Sequence, residues 1–149
     1  MWNYFNPVEI IFGEYRFKKI HDTLINKNYI IITHPEEIFK KYSDELNSSF
    51  NPPLSIMTDV QPNPDYKDIL ELQNKFSLIS ETVDYILAIG GGSVIDTAKA
   101  IAAFKDKQEY LTDFVRNKKS PRVENPIKII AVPTTSGTSS ELTCWATIW

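Results

Sequence analysis

The chain has 149 residues, of which 42% are hydrophobic and 23% charged, and its formal net charge is -3. This composition predicts one soluble globular domain, and the negative charge without a basic stripe argues against a nucleic-acid-binding surface. There is no signal-peptide pattern, no apolar run of about 18 residues for a membrane span, and no partner for Cys144 in a disulfide, so we expect a cytoplasmic protein.

Apolar runs alternate with helical periodicity along the chain. Continuous apolar runs predict strands over residues 8–13, 29–33, 54–57, 85–89 and 127–132. Apolar residues at helical spacing predict helices over residues 14–27, 35–46, 65–79, 93–104 and 110–115. Proline-rich stretches predict loops at residues 61–64 and 121–126. Strands alternating with helices are typical of an α/β domain with a mainly parallel sheet.

Three of the five glycines are consecutive, from Gly90 to Gly92, and Ser93 follows them. They separate a predicted strand from a predicted helix, where glycine allows a positive φ and leaves no Cβ in the way of a ligand. The N–H groups of Gly91, Gly92 and Ser93 would then bind an anion, most naturally a pyrophosphate. The alternative is a tight turn that merely packs strand on helix. The run matches neither Gly-x-Gly-x-x-Gly nor a Walker A loop.

Asp96 and Lys99 follow in the predicted helix. A carboxylate would repel a pyrophosphate, so Asp96 should either favour the helix dipole or point toward the sugar or nicotinamide of a nucleotide. Because the two residues are three positions apart, an ion pair between them is the alternative that leaves both without a ligand.

Small hydroxyl residues follow the last predicted strand, in residues 133–141 (PTTSGTSSE). Ligands of open α/β sheets bind outside the carboxyl ends of the strands, which is where this run falls. Hydroxyl groups can bind phosphate, ribose or amide groups without bringing charge. An ordinary polar loop is the alternative.

Residues 90–99 (GGGSVIDTAK) and 133–143 (PTTSGTSSELT) together closely resemble the iron-containing (group III) alcohol dehydrogenase family. The loop of residues 62–64 also looks like that family's loop ahead of the glycine motif. The resemblance covers essentially the whole chain as the family's N-terminal domain. The opening W-x-Y-x-N-P of residues 2–7 and the closing residues 145–149 look most like the branch of phosphonoacetaldehyde reductases.

The resemblance implies a Rossmann-like domain of the dehydroquinate synthase type, ending in a β-hairpin segment. It implies that Asp96 approaches the nicotinamide ribose or the reacting centre. The whole set of cofactor contacts it implies is Asn63, Gly91, Gly92, Ser93, Asp96, Thr134, Thr135, Thr138 and Thr143. It also implies hydride transfer between NAD or NADP and a primary alcohol or aldehyde, with iron or zinc polarising the substrate oxygen. The oligomeric state stays open, with a homodimer as one option.

Two departures from the family pattern matter. NAD-preferring members carry an acid after the strand of residues 29–33, and His34 stands there instead, so NADP is the better prediction and NAD the alternative. The family's metal ligands lie in a helical C-terminal domain beyond this sequence, and His21 and His34 are the only histidines. We therefore predict that these residues bind no catalytic metal. The other open interpretations are a fragment that binds a dinucleotide without turnover and an enzyme like glycerol dehydrogenase.

Overall fold

The computed structural model of the chain describes residues 1–3, 5–105, 107–119 and 123–149. Within these ranges one four-stranded parallel sheet has the order β2-β1-β3-β4. Its strands are β1 (Tyr29–Thr33), β2 (Ser55–Met57), β3 (Tyr85–Gly90) and β4 (Lys128–Pro133). The α-helices are α1 (Ile20–Leu24), α2 (Glu37–Asn47), α3 (Tyr66–Ser77), α4 (Gly92–Phe104) and α5 (Gln108–Asn117), with short 3-10 helices at Arg16–Lys19, Ser80–Thr82 and Ser140–Leu142. The predicted α/β fold with a parallel sheet is confirmed.

Helices cover both faces of the sheet, because successive strand residues point to opposite sides. Ile30 and Ile32 of β1 pack with α3 and α4 on one face, while Ile31 packs with α1 and α2 on the other. All three isoleucines are fully buried. Burying such a side chain stabilises the fold by about 1.5–3 kcal/mol, which is why β1 reads as an uninterrupted apolar run.

Helix α4 lies at the centre of its layer and contacts β3, β4, α3 and α5. Its residues Val94, Ile95, Ala98 and Ile101 are buried. A helix packed on so many sides holds a fixed position, so its N-terminus is a rigid reference point at the edge of the sheet.

The strand predicted over residues 8–13 is wrong. These residues form no strand, and Phe12 is 93% exposed. An apolar run becomes a strand only when another strand satisfies its backbone, and none of the described strands pairs with this run. The helix predicted over residues 14–27 is correspondingly reduced to a 3-10 turn and α1.

The predicted closing β-hairpin is also wrong. After β4, the described residues 134–149 contain a short 3-10 helix and no strand. The N–H of Thr147 donates to Asp96 Oδ2 at 3.0 Å, and the N–H of Trp149 donates to the carbonyl of Pro64 at 3.1 Å. The backbone of this segment is therefore bonded to α4 and to the loop before α3 instead of to a second strand.

The other elements lie within three residues of their predicted ends, which is the usual uncertainty at helix termini. Residues 61–64 form the predicted loop. In the predicted loop of residues 121–126, positions 121 and 122 lie outside the described residues, as does Tyr4 of the opening motif.

Candidate functional site

In the sheet, β2 lies on one side of β1, whereas β3 and β4 lie on the other side. Ligands of open α/β sheets bind at such a change of side, so the carboxyl ends of β1 and β3 form the expected ligand-binding edge. Thr33 closes β1, and its buried hydroxyl donates to the carbonyl of Ile89 in β3 at 2.8 Å. This bond joins the two strand ends. The edge is thus a fixed platform from which the following loops extend.

The glycine turn occupies this edge. β3 ends at Gly90, α4 begins at Gly92, and Gly91 between them has φ -84° and ψ -164°. Within the described residues no side chain caps α4. The N–H groups of its first turn lack intrahelical partners, and they coincide with the positive end of the helix dipole. The arrangement suits a phosphate group.

Helix α3 provides a contrast, because its N-terminus is closed by a side chain. The Asp65 carboxylate accepts hydrogen bonds from the N–H groups of Lys67 and Asp68. The Asp65 N–H in turn donates to the Asp68 carboxylate. The bond from the Asp68 N–H is the main cause that holds the pKa of the Asp65 carboxyl below its ordinary value. Helices α1, α2 and α5 also begin without a side-chain cap, so what sets α4 apart is its start at the carboxyl end of β3, beside the loop that follows β4.

The glycines allow close packing, and none of the three adopts the positive φ that glycine permits. A Cβ on Gly90 would lie 2.5 Å from Val94 Cγ2, and one on Gly92 would lie 3.3 Å from Thr138 Cγ2. A Cβ on Gly91 would overlap Thr135 Oγ1. Extended backbone at a helix start suits any residue, so what excludes side chains here is the approach of neighbouring protein atoms.

The hydroxyl loop of residues 134–140 packs against the glycine turn. β4 runs parallel to β3 with Pro133 opposite Gly90, and the Thr134 N–H donates to the Gly90 carbonyl at 3.0 Å. Thr134, Thr135 and Thr138 are exposed. The structure therefore brings together the two motifs that the sequence singled out and leaves these hydroxyl groups accessible to a ligand.

Asn63 joins the same cluster from the loop before α3. Its N–H donates to Ser93 Oγ at 3.1 Å, and its φ of 52° is in the left-handed region that asparagine tolerates. The residue is exposed. Three loops thus meet at the N-terminus of α4, carrying uncharged donors and acceptors.

Asp96 and Lys99 form an ion pair on α4. Lys99 Nζ lies 3.4 Å from Asp96 Oδ1, which is the ion pair left open by the sequence. Lys99 also donates to Thr143 Oγ1 at 3.2 Å. No sequence pattern singles out Ser140, yet its buried hydroxyl donates to Asp96 Oδ1 and accepts from Lys99 at 3.0 Å. Whether Asp96 and Thr143 contact a cofactor stays a prediction.

His34 follows β1 directly, as predicted. Its Nδ1 lies 3.3 Å from the carbonyl of Val60, and its ring centroid lies 5.6 Å from that of Phe39. The position where an acid was expected in NAD-preferring proteins therefore holds a half-buried imidazole.

The described residues offer no group of three or more His, Cys, Asp or Glu side chains that could hold a metal ion. The His21 ring lies beside Phe50, and the His34 ring bonds to a backbone carbonyl. This donor set does not fit a catalytic iron or zinc, which needs at least three protein ligands. In the same part of the chain no helix has the length and apolar character needed to cross a membrane.

Comparison with known proteins gives the context of this site. The family model for iron-containing alcohol dehydrogenase matches residues 7–149. Over 99 residues, 64% of this chain, it is 33% identical to the NADPH-dependent butanol dehydrogenase of Clostridium saccharobutylicum and covers 24% of that protein. Over 89 residues, 60% of this chain, it is 36% identical to the lactaldehyde reductase of Escherichia coli K12 and covers 23% of it.

Among solved structures, the chain is similar to the sulfoacetaldehyde reductase of Bifidobacterium kashiwanohense in complex with NAD+. The TM-score is 0.82 at 29% identity, over 97% of this chain and 39% of the other. The chain thus spans less than half the length of these three proteins. The narrower resemblance to phosphonoacetaldehyde reductases stays a prediction.

Proposed function

The chain belongs to the iron-containing alcohol dehydrogenase family, and on that premise we propose that residues 1–149 form the dinucleotide-binding domain of an NAD(P)-dependent oxidoreductase. The reaction would transfer hydride between the nicotinamide and a primary alcohol or aldehyde. The nicotinamide supplies or accepts the hydride when it is bound. This chain's residues would hold and orient it.

The observation that carries the proposal is the uncapped N-terminus of α4, with the hydroxyl loop and the loop of Asn63 against it. Gly92 and Ser93 would donate their N–H groups to the pyrophosphate, where the helix dipole adds about 0.3–1 kcal/mol. Thr135 and Thr138 would add neutral hydrogen bonds. No acidic side chain is part of this first turn, so nothing there repels the phosphate charge.

The remaining proposed contacts lie around this centre. Thr134 follows β4 and Asn63 bonds to Ser93, so both border the same opening. Both side chains are exposed and uncharged. They suit the ribose hydroxyls or the carboxamide of a dinucleotide, which need donors and acceptors in place of charge.

We propose NADP as the preferred cofactor, with NAD as the alternative. A carboxylate at the end of β1 would bind ribose hydroxyls and repel a 2′-phosphate, and His34 supplies no such charge. The relatives include an NADPH-dependent butanol dehydrogenase and a reductase in complex with NAD+. The family therefore contains both preferences, and the local chemistry at His34 is the basis for the choice.

A second candidate is a chain that binds the dinucleotide and catalyses nothing by itself. The lack of a metal-ligand group among the described residues favours it. NADPH-dependent reduction of a small aldehyde with added iron or zinc tests whether residues 1–149 can catalyse the reaction by themselves. We expect no turnover from residues 1–149, and turnover that a chelator abolishes would contradict the prediction that these residues bind no catalytic metal.

Cofactor binding itself is tested by fluorescence titration with NADPH and NADH. We expect saturable binding of at least one of them.

We also propose that the protein acts in the cytoplasm on a small alcohol or aldehyde. We propose no nucleic-acid or membrane partner, in keeping with its net charge of -3.

A further inference from the structure

The ammonium group of Lys99 is held by the last residue of the hydroxyl loop and by the segment that follows it. It donates to the Trp145 carbonyl at 2.6 Å, to Ser140 Oγ at 3.0 Å and to Thr143 Oγ1 at 3.2 Å, and it lies 3.4 Å from Asp96 Oδ1. An ammonium has three protons to donate. With these acceptors in range and its side chain 13% exposed, Lys99 has no proton left for a phosphate.

The Asp96 carboxylate is engaged in the same way. Oδ1 accepts from the Ser140 hydroxyl and from Lys99, and Oδ2 accepts from the Thr147 N–H at 3.0 Å. Its side chain is 15% exposed. A carboxylate satisfied by charge-assisted bonds on both oxygens is stabilised where it is, and turning it toward a ligand would break those bonds.

Ser140 connects this ion pair to the glycine turn. It is 7% exposed and follows Ser139, whose φ of 52° reverses the chain. The Ser140 N–H donates to Thr138 Oγ1 at 3.5 Å, and Thr138 in turn packs against Gly92. The place of Ser140 therefore limits where the Thr138 side chain stands relative to the start of α4.

We propose that Asp96 and Lys99 are positioning residues that anchor the hydroxyl loop through Ser140, in place of the cofactor contact predicted for Asp96. Their rigid base is α4, so the pair fixes Thr138 beside the phosphate-binding N–H groups. This inference rests on the proposed function, because the loop matters only if a dinucleotide binds there.

The test compares three variants of the chain: Lys99→Met, Lys99→Arg and Ser140→Ala. Methionine keeps much of the length of lysine and loses the ammonium. We expect the Thr147 amide hydrogen to exchange at least about tenfold faster in Lys99→Met, and NADPH to bind about tenfold more weakly, the order that loss of a charge-assisted hydrogen bond produces. Lys99→Arg should recover part of both, because the charge is kept.

The matched control is Lys75→Met. Lys75 also forms an ion pair, with Asp59, but both side chains are more than half exposed on the surface near α3. Its loss should leave the Thr147 exchange and the NADPH affinity unchanged. Should Lys99→Met fail to fold by circular dichroism, Ser140→Ala removes a single hydroxyl group and is expected to change both measurements in the same direction.

Several outcomes would overturn the inference. Unchanged exchange at Thr147 in Lys99→Met and Ser140→Ala would mean that the pair does not hold the segment. Weaker NADPH binding with unchanged exchange would mean that Lys99 contacts the ligand itself. Faster exchange with unchanged affinity would mean that loop position is irrelevant to binding. A wild-type chain that binds no dinucleotide contradicts the proposed function instead. In that case the hydrogen exchange of the Thr147 amide alone tests whether Asp96 and Lys99 order the loop.

Discussion

The hydroxyl oxygen of Thr135 occupies the space that a side chain on Gly91 would need. Gly91 has φ -84°, so its backbone would accept alanine without strain. The two residues come from different loops, one after β3 and one after β4. The contact therefore reports directly on whether the hydroxyl loop rests on the glycine turn.

Gly91→Ala is expected to force the exposed Thr135 hydroxyl to rotate and to destabilise the chain by about 1 kcal/mol. Thr135→Ala removes the oxygen that the new methyl group would meet, so the double variant should lose less than the sum of the two single effects. Urea unfolding of the four proteins measures this coupling. Gly92→Ala is the control, since its Cβ would lie 3.3 Å from Thr138 Cγ2 and needs a small shift. Strictly additive effects at Gly91 and Thr135 would mean that the loops are apart in solution.

Gln73 is fully buried on α3, and both polar atoms of its amide lack a hydrogen-bond partner among the described residues. Such a group loses its bonds to water on folding and regains none. Gln73→Leu should therefore raise the free energy of unfolding by about 1–3 kcal/mol, measured by urea denaturation. The exposed Glu71 of the same helix is the control, and Glu71→Leu should change stability by less than about 0.5 kcal/mol. A destabilised Gln73→Leu would show that the amide has partners in solution.

The Asp65 cap predicts a dependence of stability on pH. Hydrogen bonds from the N–H groups of Asp68 and Lys67 lower the pKa of Asp65 in the folded chain. The folded state thus favours the ionised carboxyl, so this stabilisation is present above the unfolded pKa and disappears as pH falls through the lower, folded pKa.

Asp65→Ala should consequently be less stable than the wild type at neutral pH, and the difference should shrink on acidification to about pH 3. Thermal unfolding across that range measures it. Glu45→Ala, at an exposed position of α2, serves as the matched carboxylate deletion. A difference for Asp65→Ala that stays constant from neutral to acid pH would contradict the role of its charge.

His34→Asp should change the cofactor preference. A carboxylate at the end of β1 would bind ribose hydroxyls and repel a 2′-phosphate, so NADPH should bind at least about tenfold more weakly and NADH more tightly. Fluorescence titration of both cofactors provides the comparison. His21→Asp adds the same charge on α1, where the His21 ring lies beside Phe50, and should leave the ratio of the two dissociation constants unchanged. An unaltered ratio in His34→Asp would place the 2′-position of the ribose elsewhere.

Local signals predicted most of this fold. The runs that became β1 and β3 are continuous and apolar because both faces of the sheet are covered, and that pattern is visible without any partner. The run at residues 8–13 has the same pattern but forms no strand. A strand needs another strand to pair with, and the local pattern does not show whether one is available. The closing segment was misjudged for the same reason, since its backbone bonds to Asp96 and Pro64.

The candidate site divides similarly. The glycine turn and the hydroxyl loop were predictable because each follows a strand, and parallel strands bring their carboxyl ends to one edge. Ser140 was not distinguishable within a run of hydroxyl residues, because its role comes from a bond to a residue 44 positions away. The close approach of Thr135 to Gly91 is also a contact between distant parts of the chain. The sequence shows the glycine at this position but does not show which residue lies against it.

Titration of the wild-type chain with NADPH, followed by fluorescence, tests the central claim most directly. We expect saturable binding with a Kd below about 1 mM. We also expect Gly91→Val to abolish this binding, because the larger side chain would displace Thr135 and obstruct the start of α4. If neither NADPH nor NADH binds at millimolar concentration, or if Gly91→Val binds as tightly as the wild type, the assignment of this edge as a dinucleotide site is contradicted.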